Sequence, residues 1–388
     1  MKVEVATVLT RTALVRLVAA TFSAQAAPTV EEKLEALTQE AERLRTEVEK
    51  QKQSELAAHG DGQARGQTTV GGYGELHYNS LDSKDEIDFH RFVLFVGHRF
   101  TDKIRFNSEN EFEHALTKDT ANGSAPGEVE LEQVYIDMDF AEGHTVRAGL
   151  FLVPVGILNE THEPNTFYGV ERNPVETNII PTTWWEGGLG VHGRFKSGFG
   201  YDLALTSGLK VPTSGSNAFK FRDGRQKVAK ADANNAAVTA RLKWTGAPGV
   251  EVAATVQRQD DVAQGTLSED VPAILVSTHA VIQRGPFALR ALYAQWDLDG
   301  SAPKAVGRDK QKGRYIEPSF KIAPRLGVFA RYNEWDNEAG DATDSKKKQK
   351  DFGINWWPHE NVVLKFDIQR QSDAANDDGF NLGVGYMF

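Results

Sequence analysis

The chain has 388 residues, a formal charge of -10, 35 glycines and no cysteine. That balance offers no bulk attraction to nucleic acid, and a cysteine-free chain can cross an oxidising compartment without disulfide chemistry. No run of about 18 apolar residues occurs, which excludes a helical membrane protein but not a β-barrel, whose strands turn only every second residue to lipid.

In chain order, the first predicted element is a secretory signal over residues 1–26. Lys2 and Arg11 supply positive charge, Ala13 to Phe22 is mostly apolar, and Ser23-Ala24-Gln25-Ala26-Ala27 offers small residues for cleavage after Ala26. Arg16 interrupts the apolar core, so a cytosolic amphipathic helix is the alternative. Residues 30–57 are rich in Glu, Lys, Gln and Leu. Val30, Leu34, Leu37, Ala41, Leu44 and Val48 follow a 4-3-4-3-4 spacing, the a/d seam of a short coiled-coil helix. So short a coil is marginal alone and needs tethering to something already oligomeric. A single amphipathic helix on the periplasmic side is the other reading. Residues 58–67, rich in Gly and polar groups, form a linker.

From 68 to 388 the period changes to two. Sixteen strands are predicted: 68–78, 87–100, 103–115, 129–140, 143–152, 186–196, 199–209, 236–245, 249–260, 272–284, 286–298, 311–322, 325–336, 349–357, 361–371 and 379–388. Connections after the even strands are short, such as Thr101-Asp102 and Ala141-Glu142, and those after the odd strands are longer and polar. This alternation with an even count predicts an all-β fold, a sixteen-stranded antiparallel transmembrane β-barrel. Its short turns would be periplasmic and its long loops external. Closure leaves no open edge in lipid. Strand 361–371 shows both faces: Val362, Leu364, Phe366 and Ile368 alternate with Val363, Lys365, Asp367 and Gln369. Strand 103–115 sets Ile104, Phe106 and Phe112 against Lys103, Arg105, Glu109, Glu111 and Glu113. A row of charge like that faces water inside. The last strand sets Phe380, Leu382, Val384, Tyr386 and Phe388 against Asn381, Gly383, Gly385 and Met387.

The third external connection, 153–185, is the outlier in length, and long loops in compact folds are usually functional. It is rich in apolar residues, including Pro154-Val155-Gly156-Ile157-Leu158 and Ile179-Ile180-Pro181-Thr182-Thr183-Trp184-Trp185. Such residues are disfavoured in water, so the loop is expected to fold into the lumen and narrow it.

The passage Arg147-Ala148-Gly149-Leu150-Phe151-Leu152-Val153-Pro154-Val155-Gly156, the loop after it, Asn355-Trp356-Trp357-Pro358-His359-Glu360-Asn361 and Phe388 resemble the phosphate-selective porin O/P family. The resemblance covers about 70–388. It implies a homotrimeric, sixteen-stranded outer-membrane channel, with Phe388 as the signal to the barrel-assembly machinery and with lipid and lipopolysaccharide around the wall. Related trimeric porins also carry an N-terminal coiled coil. In that family dense lumenal Arg and Lys give phosphate selectivity. Here Arg105, Arg147, Arg194, Arg241, Lys243, Lys321, Arg331 and Lys365 are matched by Glu109, Glu111, Glu113, Asp137, Asp202, Glu251, Glu317 and Asp367, a departure from that pattern.

The expected function is passive diffusion of small hydrophilic solutes or ions, with an anion preference resting on Arg105, Arg147, Arg172, Arg194, Arg241 and Lys365. Pore-lining candidates are these six with Glu109, Glu111, Glu160, Glu163, Glu171 and Arg331. Loop acids facing wall bases would set up a transverse field; alternatively they pin the loop. Phe167, Tyr168, Trp184 and Trp185 are either a sliding surface for sugars or aromatic acids or, the favoured reading, anchors. Trp244, Trp356, Trp357 and Tyr386 read as an interfacial girdle. The basic stretches 220–227 and 346–350 read as anion funnels, lipopolysaccharide contacts or solvated loops. A substrate-specific sugar or organic-acid channel and a non-conducting structural or adhesive barrel are the competing functions. No catalytic residue, metal or cofactor is read from the sequence: His162-Glu163 lacks the second His of a zinc helix, and no P-loop or nucleophile elbow occurs.

Overall fold

The computed structural model describes residues 67–117 and 127–388. The expected signal peptide (1–26), the coiled coil (30–57) and residues 58–66 of the linker lie outside the described residues. Gln67, assigned above to the linker, already begins the first strand.

The strands are β1 (Gln67–Leu81), β2 (Asp85–Arg99), β3 (Ile104–Glu113), β4 (Val129–Ala141), β5 (His144–Leu152), β6 (Trp185–Arg194), β7 (Phe199–Thr206), β8 (Ala237–Trp244), β9 (Val250–Gln259), β10 (Ala273–Arg284), β11 (Phe287–Leu298), β12 (Lys310–Ala323), β13 (Leu326–Asp336), β14 (Lys347–His359), β15 (Val362–Asp373) and β16 (Gly379–Met387). Each pairs antiparallel with its chain neighbours, and β1 pairs with β16, closing the barrel. All sixteen predicted strands are present.

The first hairpin departs from the short/long rule. Its turn is only residues 82–84, because Asn79 and Ser80 continue the ladder opposite Glu86 and Asp85. Ser80 Oγ donates to Asp85 Oδ1 at 2.6 Å, so the polar residues that read as loop are strand. Likewise Lys347 to Lys350, expected at least partly in a loop, begin β14, where Lys348 pairs with Asp373 at 2.9 Å.

Outward side chains form an apolar belt. Leu364, Phe366 and Ile368 of β15 are exposed while Val363, Lys365, Asp367 and Gln369 are buried. Leu203, Leu205, Val238, Leu242, Val252 and Val256 continue the belt over β7 to β9. In water so large a continuous apolar surface would be a liability; facing hydrocarbon it matches its solvent.

The inward face is of two kinds. Over β1 to β4 and β13 to β15 it is charged. Over β10 to β13, toward the long loops, it is apolar, which the expectation of a water-facing interior did not include. The reason is loop packing. Val153, Ile179 and Trp184 of loop 3 (153–184), Leu209 and Phe221 of loop 4 (207–236), and Val262 and Val271 of loop 5 (260–272) join Leu275, Leu292, Trp296 and Trp335 in one apolar cluster. Phe221 stacks on Trp296 with ring centroids 3.7 Å apart, and Trp296 Nε1 donates to Ile179 O at 2.9 Å. Full burial of each such side chain stabilises the loops by about 1.5–3 kcal/mol. Elsewhere the wall makes room with glycine. A Cβ on Gly385 would lie 2.4 Å from Pro164 Cβ, and one on Gly383 would lie 3.0 Å from Val170 Cγ1. The inward glycines of the last strand thus admit the Pro164 and Val170 side chains of loop 3.

The belt predicts an asymmetry between faces. Phe366→Arg, at the middle of β15 on the outer face, should destabilise the folded barrel by about 2–4 kcal/mol in urea titrations in phospholipid vesicles. An unchanged midpoint would show that this face does not meet hydrocarbon.

Candidate functional site

Loop 3 begins and ends at the β5–β6 hairpin. Asn159 ties its base: Nδ2 donates to Val153 O (2.8 Å) and Trp184 O (3.0 Å), and Oδ1 accepts from Trp184 N–H (2.7 Å). Glu176, in the short helix α1 (Val175–Asn178), is fully buried at 0% exposure. Its Oε1 accepts from the N–H groups of Ile157 (2.6 Å) and Leu158 (2.8 Å), and its Oε2 accepts from Tyr315 Oη (2.8 Å) and Asn173 Nδ2 (3.2 Å). A single carboxylate thereby satisfies buried backbone donors that have no water to turn to.

Beyond its base the loop is held by side chains from strands all around the barrel. Arg91 of β2 donates to His162 O (2.9 Å), Arg290 of β11 to Thr166 O (2.6 Å), and Asn355 of β14 to Phe167 O (3.2 Å). Lys365 of β15 donates to Gly169 O (2.8 Å), and Val170 N–H donates to Asp367 (2.6 Å). Charged wall groups thus serve as hydrogen-bond partners for an irregular backbone.

This sorts the sequence candidates. Arg105 is bidentate to Asp139 (2.5 and 2.6 Å), and Arg147 binds Asp137 (2.8 and 2.9 Å) while lying over the Tyr135 ring. Arg241 joins Asp202 (2.8 Å) and Glu160. Arg331 is buried between Asp351 (2.9 Å) and Glu317 (3.0 Å). Lys365 holds a loop carbonyl and sits 3.6 Å from the Phe167 ring centre. Glu171 accepts from Asn79 (3.0 Å) and meets His77 (3.0 Å). Glu111 lies 3.5 Å from Arg91, and Glu109 accepts from Gln133 (2.7 Å). Arg194 is exposed at the short-turn end of β6, away from loop 3's contacts. Glu163 is half-buried, with no ion pair among the described residues. Arg172 donates only to Thr183 Oγ1 (2.8 Å).

Arg172 has two companions from the basic stretch 220–227 that were not among the pore-lining candidates. Arg222 donates to Thr182 O (3.0 Å) and Thr177 O (3.3 Å), and Arg225 to Thr183 O (2.6 Å). Among the described residues, none of the three guanidiniums has a carboxylate within 4.0 Å. Burial, and then repulsion from Arg225 and Arg172, lowers the pKa of Arg222 in loop 4. Within electrostatic reach lie Glu113 and Glu130. Their carboxylates and that of Glu111 bring oxygens within 4.8 Å of one another, and Lys227 pairs with Glu130 and Glu128. Within the 220–227 stretch Phe221 is buried, half-buried Arg222 and Arg225 turn toward loop 3, and Lys227 turns toward β4. The usable signal was the alternation of Phe219 and Phe221 with cations, which marks a half-buried segment.

Of the four loop aromatics, Phe167, Trp184 and Trp185 are buried, and Tyr168 is half-buried beside Phe329 and Trp357. Trp357 faces inward under Lys321, 5.3 Å from its ring centre, and so does not belong to the outer girdle; Trp356 is exposed outward. Tyr168 and Trp357 line a cavity of about 750 Å³ at the short-turn end, with Arg290, Lys321, Arg325 and His359.

The family model described as phosphate-selective porin O and P matches residues 63–378. An uncharacterised protein of Aquifex aeolicus is 30% identical over 366 residues, covering 82% of this chain and 80% of that one. Among solved structures, the outer membrane channel DcaP of Acinetobacter baumannii superposes with a TM-score of 0.57 at 14% identity, covering 85% of this chain and 99% of its own. The outer membrane protein OmpT of Vibrio cholerae, in its trimer form, gives 0.56 at 11% identity, covering 83% and 99%. At such identities these two matches speak for the fold.

The Glu176 arrangement predicts that Glu176→Ala, which strands two backbone donors and Tyr315 Oη, lowers stability by about 1–3 kcal/mol in urea unfolding. It should also open 153–184 to limited proteolysis in the folded barrel. Equal protease resistance of variant and parent would refute a holding role.

Proposed function

The chain belongs to the phosphate-selective porin O and P family and is an outer-membrane channel for small solutes, and from that premise we propose a pore narrowed by loop 3, weakly anion-preferring at one charged gap. The observation that carries this reading is the trio Arg172, Arg222 and Arg225, bonded only to uncharged acceptors, with Arg222 and Arg225 within reach of Glu113 and Glu130 and Arg172 within reach of Glu111 and Glu132. An ion entering a constriction loses part of its hydration, and fixed charge on the lining compensates that loss. Guanidiniums already paired with carboxylates have little left to offer, which removes Arg105, Arg147, Arg241 and Arg331 from the selectivity set. Arg194 at the rim and Lys365 under a loop carbonyl drop out as well. Of the residues on which anion preference rested, Arg172 remains, joined by Arg222 and Arg225.

Cations on loops 3 and 4 across from acids of β3 and β4 produce a transverse field. It orients dipolar solutes and discriminates only modestly by sign. Lys227 on Glu130 and Glu128 reduces the acidic side and tips the balance toward anions. The apolar loop cluster over β10 to β13 closes that part of the long-loop end, so the passage runs along the charged side. We take the assembly to be a homotrimer, as OmpT of Vibrio cholerae is in its trimer form.

A second reading rests on the short-turn cavity, where Tyr168 and Trp357 meet Arg290, Lys321 and Arg325. A ring and cations together suit an aromatic or other organic acid. Saturable block of conductance by benzoate would favour a substrate-specific channel over a general one.

Single-channel recording in planar bilayers under a salt gradient tests the main reading. The parent protein should show conductance steps in threes and a reversal potential on the anion side. Arg172→Ala with Arg222→Ala and Arg225→Ala should move that potential to the cation side, and Glu113→Gln with Glu130→Gln should move it further toward anions. Selectivity unmoved by either set would refute the assignment of the gap.

A further inference from the structure

We propose that Glu109, Glu132 and His162 form a binding site for a divalent transition-metal ion, of which zinc is the best fit, clamping loop 3 to the barrel wall. The three come from separate segments: Glu109 from β3, Glu132 from β4 and His162 from loop 3. One donor atom of each lies within 4.8 Å of the others. All three side chains are buried, with 2%, 1% and 2% exposure.

The distances favour a metal over a simple ion pair. His162 Nε2 lies 3.4 Å from Glu109 Oε1 and 3.3 Å from Glu132 Oε2. A charge-assisted hydrogen bond from an imidazolium would draw these in to about 2.7–2.9 Å. A tetrahedron with metal–ligand bonds of about 2.0–2.1 Å has edges of about 3.3–3.4 Å. Tyr73 Oη stands 3.4 Å from the same Glu109 oxygen and offers a fourth corner, which a water could equally fill. His162 Nε2 and Glu132 Oε2 are both buried without a hydrogen-bond partner, and they point at the same place.

The surrounding shell is built as for a metal ligand. His162 Nδ1 faces Asn159 O at 3.3 Å, which places the ring proton there and leaves the Nε2 lone pair toward the carboxylates. Glu109 Oε2 accepts from Gln133 Nε2 at 2.7 Å, which leaves Oε1 turned toward His162 Nε2 and Tyr73 Oη. Partners that fix the imidazole tautomer and orient the carboxylate are the usual support of such sites.

Charge points the same way. Glu75, Glu109, Glu111 and Glu132 lie within electrostatic reach of one guanidinium, Arg91, which is taken up by Glu75 (2.6 Å) and Glu111 (3.5 Å). Arg172 acts on Glu132 and Glu111 only at longer range, and His77 lies beyond, between Glu75 and Glu171. Among the described residues Glu109 and Glu132 have no ion-pair partner other than His162. A dication offsets that acidic surplus better than a proton does. One imidazole with two carboxylates suits zinc, whereas calcium and magnesium favour all-oxygen cages.

The test uses the full-length protein in detergent, stripped with chelator and shown to be folded by its heat-dependent gel mobility. Zinc chloride is added, and bound metal is counted after gel filtration in excess calcium. One zinc per chain is expected. His162→Gln and Glu132→Gln should each lose it, while His98→Gln should keep it. A folded parent that retains no zinc, or retention unchanged in His162→Gln, overturns the site. Should the two variants not fold, X-ray absorption at the zinc edge of the parent decides. An imidazole-containing nitrogen and oxygen shell near ~2.0 Å upholds the site, and a shell without imidazole overturns it.

Discussion

Every backbone N–H and C=O that meets hydrocarbon needs a partner within the protein, and closing the sheet is the one solution open to strands. Here the seam is β1 against β16, from Tyr73 opposite Met387 to Leu81 opposite Gly379. Gly72 and Phe388 extend it by exchanging backbone hydrogen bonds of 3.0 and 2.9 Å. Once closure fixes the ladder, alternate side chains have no choice of environment. The outer set must be apolar, and the inner set surrounds a space that backbone pairing cannot fill.

How that space is filled distinguishes this barrel. On the β10 to β13 side, loops 3, 4 and 5 complete an apolar cluster against Leu275, Leu292 and Trp296, much as layers pack in a soluble domain. Elsewhere the irregular backbone of loop 3 is bonded by charged side chains. Lys365, Arg290 and Arg91 donate to its carbonyls, and Glu176 accepts from its N–H groups. Burying such groups is tolerable because each one answers a polar backbone atom that would otherwise be stranded. The loop is thus held both by apolar packing and by directional bonds, which fixes where its remaining charges point.

Two clusters of charged side chains are not matched in this way. Arg172, Arg222 and Arg225 sit together with neutral acceptors only, and Glu132 Oε2 and His162 Nε2 converge unbonded beside Glu109. Clustered charge without its counterpart is where function is expected to lie, because it lowers stability without structural benefit. Both places involve loop 3 and both face β3 and β4. A clamp at His162 would steady the loop from which Arg172 also projects.

Strand count, antiparallel order and the division into outward apolar and inward faces were readable from the chain, whereas the third connection, expected to be the outlier in length, is nearly matched by loop 4. Alternation is a local property of residues i and i+2, and closure adds only the pairing of the first and last strands. The first hairpin escaped because polar residues such as Asn79 and Glu86 pair as well in a ladder as they solvate in a loop. Which charges are free was not readable. Glu160 meets Arg241 across 81 positions, Lys365 meets Gly169 across 196, and His162 reaches Glu109 and Glu132 only because loop 3 turns back on the wall. Composition supplied the cations and the acids. The tertiary path of one loop decided which neutralise each other, because a charge is cancelled by what lies within a few ångströms and not by what lies nearby in the chain.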